Sequence, residues 1–351
     1  MATVTQRLIA FVIVVLVCGA GVAGYIQWRQ PSRTAPAPVA GGATPFLDLK
    51  DPAVAARVAQ LRAAPHVVYL SRRTDSFDQV GLAPLDHPDA RVLLTTPACE
   101  RSYFGSKTGL CLTINRESPS PRAYAIFVDH ALQPTRQYPL DGLPIRARVS
   151  PDNRWAAATV FVSGESYSGD FTTRTTLFDL EKGTVIDSLE SFTTERDGKP
   201  YQAVDFNFWG VTFFAAGDRF LATLGTGGKR LLVEGDITRR HMKVIANDVE
   251  CPSLSPDGQK IVFKRSGAVK SEWRLWVKVL ATGDEWPITA EDRYIDDQAE
   301  WLDNDRVLYG LLYGEGVPEN SLSIWISHIS RDSGFDASVF LRSASSPSVI
   351  R

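Results

Sequence analysis

Groups able to do chemistry are scarce in this chain of 351 residues. Its five histidines, His66, His87, His130, His241 and His328, are scattered, and none stands four residues from another. Four cysteines, Cys18, Cys99, Cys111 and Cys251, form no CxxC pair and have no neighbouring histidine, which argues against a zinc site. Neither charge dominates: 38 basic residues stand against 40 acidic ones, for a net charge of −2. A concentrated basic face is therefore not expected, and nucleic acid is excluded as a partner. The stretch Gly164-Glu165-Ser166-Tyr167-Ser168 begins like a nucleophile elbow, but its last position is Ser and no α/β-hydrolase pattern surrounds it, so it reads as a polar loop. No metal and no cofactor is expected.

Long hydrophobic runs are also rare, and the one present stands out. Leu8 to Ile26 carries no charge over 19 residues, enough to cross a bilayer as a helix. Arg7 precedes it, and Trp28 and Arg29 follow as interfacial anchors would. Gly21 and Ala23 are small enough to permit signal cleavage, but the run is long for a signal peptide. Val17 before Cys18 does not fit a lipidation box. The expected organisation is a cytoplasmic N-terminus over 1–7, a transmembrane helix or uncleaved signal anchor over 8–26, a Pro/Ala-rich linker over 27–50, a short helix over 51–65 and an all-β domain over 66–351. The helix would turn Val54, Val58 and Leu61 to one face.

What the chain has in quantity is strand and turn material: 44% hydrophobic and 10% aromatic residues, with 26 glycines and 21 prolines. Self-similar stretches recur along it. Ser150-Pro151-Asp152-Asn153 and Ser255-Pro256-Asp257-Gly258 each separate two apolar runs. Pro sets φ at the first turn position, Asp bonds back to the backbone, and Asn or Gly accepts positive φ. Trp301 to Tyr309 is a degenerate copy, and Phe213 to Leu221 a weaker one. The runs Ala156–Val162, Thr175–Leu180 and Val185–Leu189 follow the first turn in the same order as Lys260–Lys264, Arg274–Leu280 and Glu285–Thr289 follow the second. Such units fit four-stranded blades of a single β-propeller, six in number, or seven if the long insert of the fourth unit forms its own. The first unit has only three strands, Val67–Ser71, Val80–Pro84 and Val92–Thr95, and one strand stands alone at Ser346–Ile350. Pairing that last strand into the first blade would close the ring and remove its open edges.

The Ser-Pro-Asp-Gly turn opening strand-rich units resembles TolB-type β-propeller repeats, over about residues 66 to 351. Ser255–Phe263 matches the repeat well and Ser150–Ala158 nearly so. With Cys99–Cys111, Ala203–Phe213 and Val249–Gly258, the whole chain is similar to membrane-anchored TolB-like proteins of actinobacteria. The resemblance implies a fold and a compartment, and it implies no reaction.

Cys99 and Cys111 flank a Gly- and Ser-containing hairpin, and their spacing suits a disulfide in an exported domain, with two buried thiols as the alternative. Cys251 reads as buried and inert. The acidic residues Asp292, Asp296, Asp297, Glu300, Asp303 and Asp305 do not match an EF-hand loop and read as a solvated face. The segment Asp205-Phe206-Asn207-Phe208-Trp209 could turn Asp205, Asn207 and Trp209 to one side. With Arg146, Arg148, Glu250 and Asp297 at equivalent places in other units, these are the candidate residues of a central channel that could bind a ligand. The expected function is a non-enzymatic binding or scaffold module. It would be held at the cell membrane with its propeller outside the cytoplasm, and its partner would be a protein or cell-envelope ligand. The rival is an exported propeller enzyme of lactonase, lyase or hydrolase type.

Overall fold

A computed structural model of the chain describes Gln6 and residues 51–94, 96, 98–117, 121–129, 132–162, 171–215, 217–267, 272–291, 293–311, 322–331 and 337–351. The chain divides into two compact units, Met1–Ala37 and Pro38–Arg351. In the first, only Gln6 is described, as an exposed helical residue. The hydrophobic run 8–26, the linker up to residue 50, the Gly164–Ser168 stretch, His130 and Asp292 lie outside the described residues. Among those described, no helix is long and apolar enough to cross a membrane.

The second unit opens with helix α1 (Pro52–Arg62). Asp51 caps it by accepting from the Ala53 backbone N–H at 2.8 Å, and Pro52 takes a first-turn position where its missing N–H costs nothing. Val58 and Leu61 are buried, and Val54 packs beside them against Leu82, Leu94 and Phe104.

Six sheets follow, each radiating from a common centre. Blade 1 holds β1 (His66–Ser71), β2 (Val80–Pro84) and β3 (Val92–Leu93); blade 2 holds β4 (Arg101–Phe104), β5 (Gly109–Asn115), β6 (Arg122–Val128) and β7 (Pro134–Leu140). Blade 3 is β8 (Leu143–Val149), β9 (Trp155–Phe161), β10 (Thr173–Asp179) and β11 (Val185–Ile186). The insert after it forms β12 (Thr193–Arg196) and β13 (Lys199–Pro200). Blade 4 proper is β14 (Asn207–Phe213), β15 (Arg219–Thr226), β16 (Lys229–Asp236) and β17 (His241–Asn247). Blade 5 is β18 (Glu250–Leu254), β19 (Lys260–Ser266), β20 (Trp273–Val279) and β21 (Glu285–Pro287). Blade 6 is β22 (Glu300–Trp301), β23 (Arg306–Leu311), β24 (Ser323–His328) and β25 (Ser338–Leu341), and the last strand is β26 (Ala344–Ile350).

β26 pairs antiparallel with β1, so blade 1 runs β26-β1-β2-β3. The insert of the fourth unit makes no seventh blade. β12 lies parallel to β17 at the outer edge of blade 4, extending that sheet to six strands. It does so because a two-strand insert cannot bury two faces alone, whereas an existing edge offers unpaired backbone groups.

The Ser-Pro-Asp turns explain why the strands start where they do. In the first, Ser150 Oγ accepts from the Trp155 backbone N–H at 2.8 Å, Asp152 accepts from Arg154 N–H at 3.0 Å, and Asn153 takes φ 59°. In the second, Ser255 Oγ accepts from Lys260 N–H at 2.9 Å, Asp257 from Gln259 N–H at 3.0 Å, and Gly258 takes φ 70°. Strands alternate in direction within a blade, and short connections lead from one blade to the next. Each innermost strand, β26, β4, β8, β14, β18 and β22, therefore runs from one face of the disc, here the entrance face, to the other, the exit face. Three of them carry a residue in the left-handed region beside a register shift: Gly210 on β14 (φ 65°), Cys251 on β18 (φ 48°) and Ser346 on β26 (φ 50°). These bulges re-aim side chains near the centre. At Gly210 a Cβ would lie 2.7 Å from Cys251 Cα, so glycine there lets blades 4 and 5 approach.

Candidate functional site

The centre of the disc is filled by charge pairs. Arg146 and Arg148 stand two residues apart on β8, so both reach the channel, at different depths. The deeper one, Arg148, donates to Glu300 Oε2 at 2.6 Å, to Ser253 Oγ at 2.9 Å and to the Ala299 carbonyl at 2.9 Å. Its guanidinium carbon lies 4.6 Å over the Tyr103 ring. The Tyr103 hydroxyl donates to both Glu300 oxygens at 3.2 and 3.3 Å, and the Val349 backbone N–H reaches Glu300 Oε1 at 3.3 Å. The two charged side chains are only 7% and 6% exposed. Burial, and then the Glu300 carboxylate, push the Tyr103 phenol well above its ordinary range, so it stays a donor.

Nearer the entrance, Lys264 of β19 donates to Asp296 Oδ1 at 2.7 Å and stands 3.7 Å from Glu250 Oε1. Trp273 Nε1 donates to Glu250 Oε2 at 2.8 Å, and its ring lies 4.4 Å from Lys264 Nζ. Arg146 reaches Asp296 Oδ1 at 3.4 Å. Burial alone would pull the Lys264 ammonium down, but Cys251, Glu250 and Asp296 around it hold it above its usual value. For Asp296, burial would raise the carboxyl, and Lys264 with Arg146 overcomes that and lowers it.

At the exit end, a pocket of about 280 Å3 is lined by all six innermost strands. The Arg148–Glu300 pair and Tyr103 form its polar part, and Phe104, Val149, Phe213, Leu254, Trp301 and Ile350 its apolar part. Among the described residues, no three His, Cys, Asp or Glu side chains converge where they could share a metal ion.

Of the residues singled out from sequence, Arg148 belongs to the deeper group, and Arg146 and Glu250 to the group around Lys264 and Asp296. Asp297 sits beside it, accepting from the Gly310 backbone N–H at 2.8 Å. The Asp205–Trp209 stretch goes elsewhere. Asp205 is exposed and ties down a turn by accepting from Thr226 Oγ and Gly227 N–H, both at 2.6 Å. Asn207 accepts from Thr173 N–H at 2.7 Å and donates to the Phe171 carbonyl at 2.6 Å, joining blades 3 and 4. Trp209 is buried with its ring 5.3 Å from that of Phe171 and 5.1 Å from the Arg230 guanidinium. Cys99 and Cys111 are bonded, with Cα atoms 5.4 Å apart, and Cys251 is free and buried.

The reading of the acidic stretch as one solvated face is corrected. Asp296 and Asp305 are exposed, but Glu300 is buried, and Asp303 organises a turn by accepting from Asp305 and Arg306 N–H groups at 2.9 and 2.8 Å. Tyr103, Ser253, Lys264, Trp273 and Asp296 were not identified from sequence as channel residues. The available signal was the pairing register, since Glu250 lies opposite Lys264.

This geometry defines a six-bladed β-propeller. No family model matches the sequence, and no curated protein matches it either. Solved structures do. TolB from Acinetobacter baumannii is similar at 15% identity and a TM-score of 0.56, over 82% of this chain and 67% of that one. A putative TolB from Agrobacterium tumefaciens shares 14% identity with a TM-score of 0.48, over 80% of this chain and 89% of that one. A chain of a nidogen/laminin complex shares 10% identity with a TM-score of 0.54, over 82% of this chain and 98% of that one. At these identities the likeness is one of fold.

Proposed function

We propose that this protein is a non-enzymatic binding module that holds a partner protein, or a protein-bearing cell-envelope ligand, against the entrance face of the propeller. The hydrophobic run 8–26 tethers it to the membrane, with the propeller outside the cytoplasm. One observation carries the reading. Five large apolar side chains are exposed among the described residues, and four of them, Phe77 (57%), Leu143 (51%), Val204 (fully) and Tyr294 (44%), belong to the entrance face. Phe77 lies in the β1–β2 loop, Leu143 opens β8, and Val204 and Tyr294 precede β14 and β22. Isolated exposed apolar residues are ordinary, and it is the gathering of these four on one face that supports reading it as an interaction surface. The nidogen/laminin neighbour, seen in a protein complex, is consistent with a propeller used this way. The enzyme alternative is less favoured. The carboxylates at the channel, Glu250, Asp296, Asp297 and Glu300, are each engaged by cations or N–H donors, which opposes a proton-transfer role.

The reading is tested by replacing Phe77, Leu143, Val204 and Tyr294 together with Ser and sizing the full chain in mild-detergent membrane extracts. The unsubstituted chain is expected in a species larger than itself, and the variant as the free chain. If both run alike, the binding face has been misassigned.

A further inference from the structure

On the exit face, away from that surface, a second pocket of about 410 Å3 opens between α1, blade 1 and the β4–β5 hairpin. Its walls include Val68, Leu82, Phe104, Leu132 and Ile350, all apolar. Its polar lining is Arg62, His66, Lys107, Asp129, Ser106 and Thr108. Arg62, in the last turn of α1, is half-buried and makes no hydrogen bond or ion pair with a described residue. Lys107 extends from the hairpin, exposed. One acid, Asp129, lines the same pocket close enough for its charge to act on Arg62, and its Oδ1 also accepts from the Gln133 backbone N–H at 2.9 Å.

His66 completes the site. It is 4% exposed, and its Nδ1 stands 2.8 Å from the Ala64 carbonyl. A carbonyl can only accept, so Nδ1 carries the proton and Nε2 presents a lone pair to which no described residue donates a hydrogen bond. Burial, and the nearby Arg62 charge, lower the tendency of this ring to protonate, which keeps Nε2 an acceptor at neutral pH. The pocket thus asks for three things at once: an apolar group for the walls, an anion for Arg62 and Lys107, and a hydrogen-bond donor for His66. A simple fatty acid supplies the first two only.

We propose that this pocket binds an N-acylated apolar α-amino acid with a free carboxylate, the group found at the C-terminus of a peptide and in free N-acyl amino acids. The side chain lies against Val68, Leu82 and Phe104. The carboxylate pairs with the Arg62 guanidinium, whose fork matches it in two parallel hydrogen bonds. The amide N–H donates to His66 Nε2. Lys107 adds attraction at the rim, where solvent weakens it.

The test is titration calorimetry on the detergent-solubilised full chain with four probes: an N-acetylated tetrapeptide ending in leucine, its C-terminally amidated twin, N-acetylleucine and octanoate. The free-acid peptide is expected to bind saturably. The amidated twin and octanoate should each bind at least about tenfold more weakly, the loss of roughly one charge-assisted or neutral hydrogen bond to a buried partner. Arg62→Gln should abolish the difference between acid and amide, and Lys107→Gln should reduce binding of the acid two- to threefold. Retained thermal unfolding midpoints in both variants would exclude misfolding, and Lys107, being exposed, provides the check if Arg62→Gln fails to fold. Binding of N-acetylleucine as tightly as the peptide supports the same chemistry and makes the free N-acyl amino acid its source; weaker binding makes a peptide terminus the source. The proposal is overturned if the amidated twin binds as well as the acid, if octanoate matches the peptide, or if no probe binds saturably.

Discussion

Arg148 and Glu300 meet at 2.6 Å across the centre of the disc, one from blade 3 and the other from blade 6, which lie opposite each other in a six-membered ring. Their further contacts reach Tyr103 in blade 2, Ser253 in blade 5 and Val349 in blade 1. Gln298, just before β22, donates to the Val211 carbonyl of blade 4 at 3.2 Å and to the Pro252 carbonyl of blade 5 at 2.7 Å. The channel charges, together with Gln298, therefore act as a hub joining every blade.

Removing one member of this pair leaves the other charged and buried. Glu300→Ala should destabilise the propeller by about 3–5 kcal/mol, and Arg148→Met by a similar amount. Replacing both with apolar residues of like volume should cost far less than the sum of the two single changes. Urea unfolding of the four proteins measures this. Additive losses would mean that the two residues do not act as a pair.

Asp296 makes acid stability a second readout. Its carboxyl is lowered in the folded protein, because Lys264 and Arg146, with Arg101 further off, outweigh the opposing effect of burial. In the unfolded chain it titrates near the ordinary value, about 3.9. A lowered folded value means that its stabilisation is complete above that unfolded value and is lost as pH falls through the folded one. The stability difference between the natural chain and Asp296→Asn should thus stay level from neutral pH to about pH 5 and shrink at more acid pH. A difference that grows on acidification would contradict the assigned ion pairs.

The disulfide reports on compartment. In protein from intact membranes, Cys99 and Cys111 should resist alkylation until reduced, and external protease should cut the propeller free. Replacing both with Ser should cost roughly 3 kcal/mol in the loop-entropy picture. Free thiols combined with full protection from protease would place the propeller in the cytoplasm and overturn the proposal that it lies outside.

How far the sequence revealed this architecture depends on the range of each interaction. Ser150-Pro151-Asp152 and Ser255-Pro256-Asp257 were legible because the side chains of a turn bond to backbone within five residues. From those turns the strands of blades 3 and 5 followed in order. The alternation of Arg146 and Arg148 was legible for the same local reason. Glu300 was not, because its partner Arg148 lies 152 residues away and on the opposite blade. An acidic run looks solvated until the cation that neutralises it is known. The Asp205–Trp209 stretch misled in another way: β14 begins only at Asn207, and the bulge at Gly210 breaks simple alternation, so Asn207 and Trp209 turn into the seam between blades. The insert that might have made a seventh blade instead joined an edge that pattern alone does not display.

The most direct measurement is site-specific photocrosslinking in intact cells, with a photoreactive residue at Val204 on the entrance face and, for comparison, at Ile245 on the outer strand β17. The account predicts one discrete crosslinked product from Val204 that is absent from Ile245 and is lost when Phe77, Leu143 and Tyr294 are changed to Ser. Equal or absent crosslinking at the two positions would contradict the claim that the entrance face holds a partner.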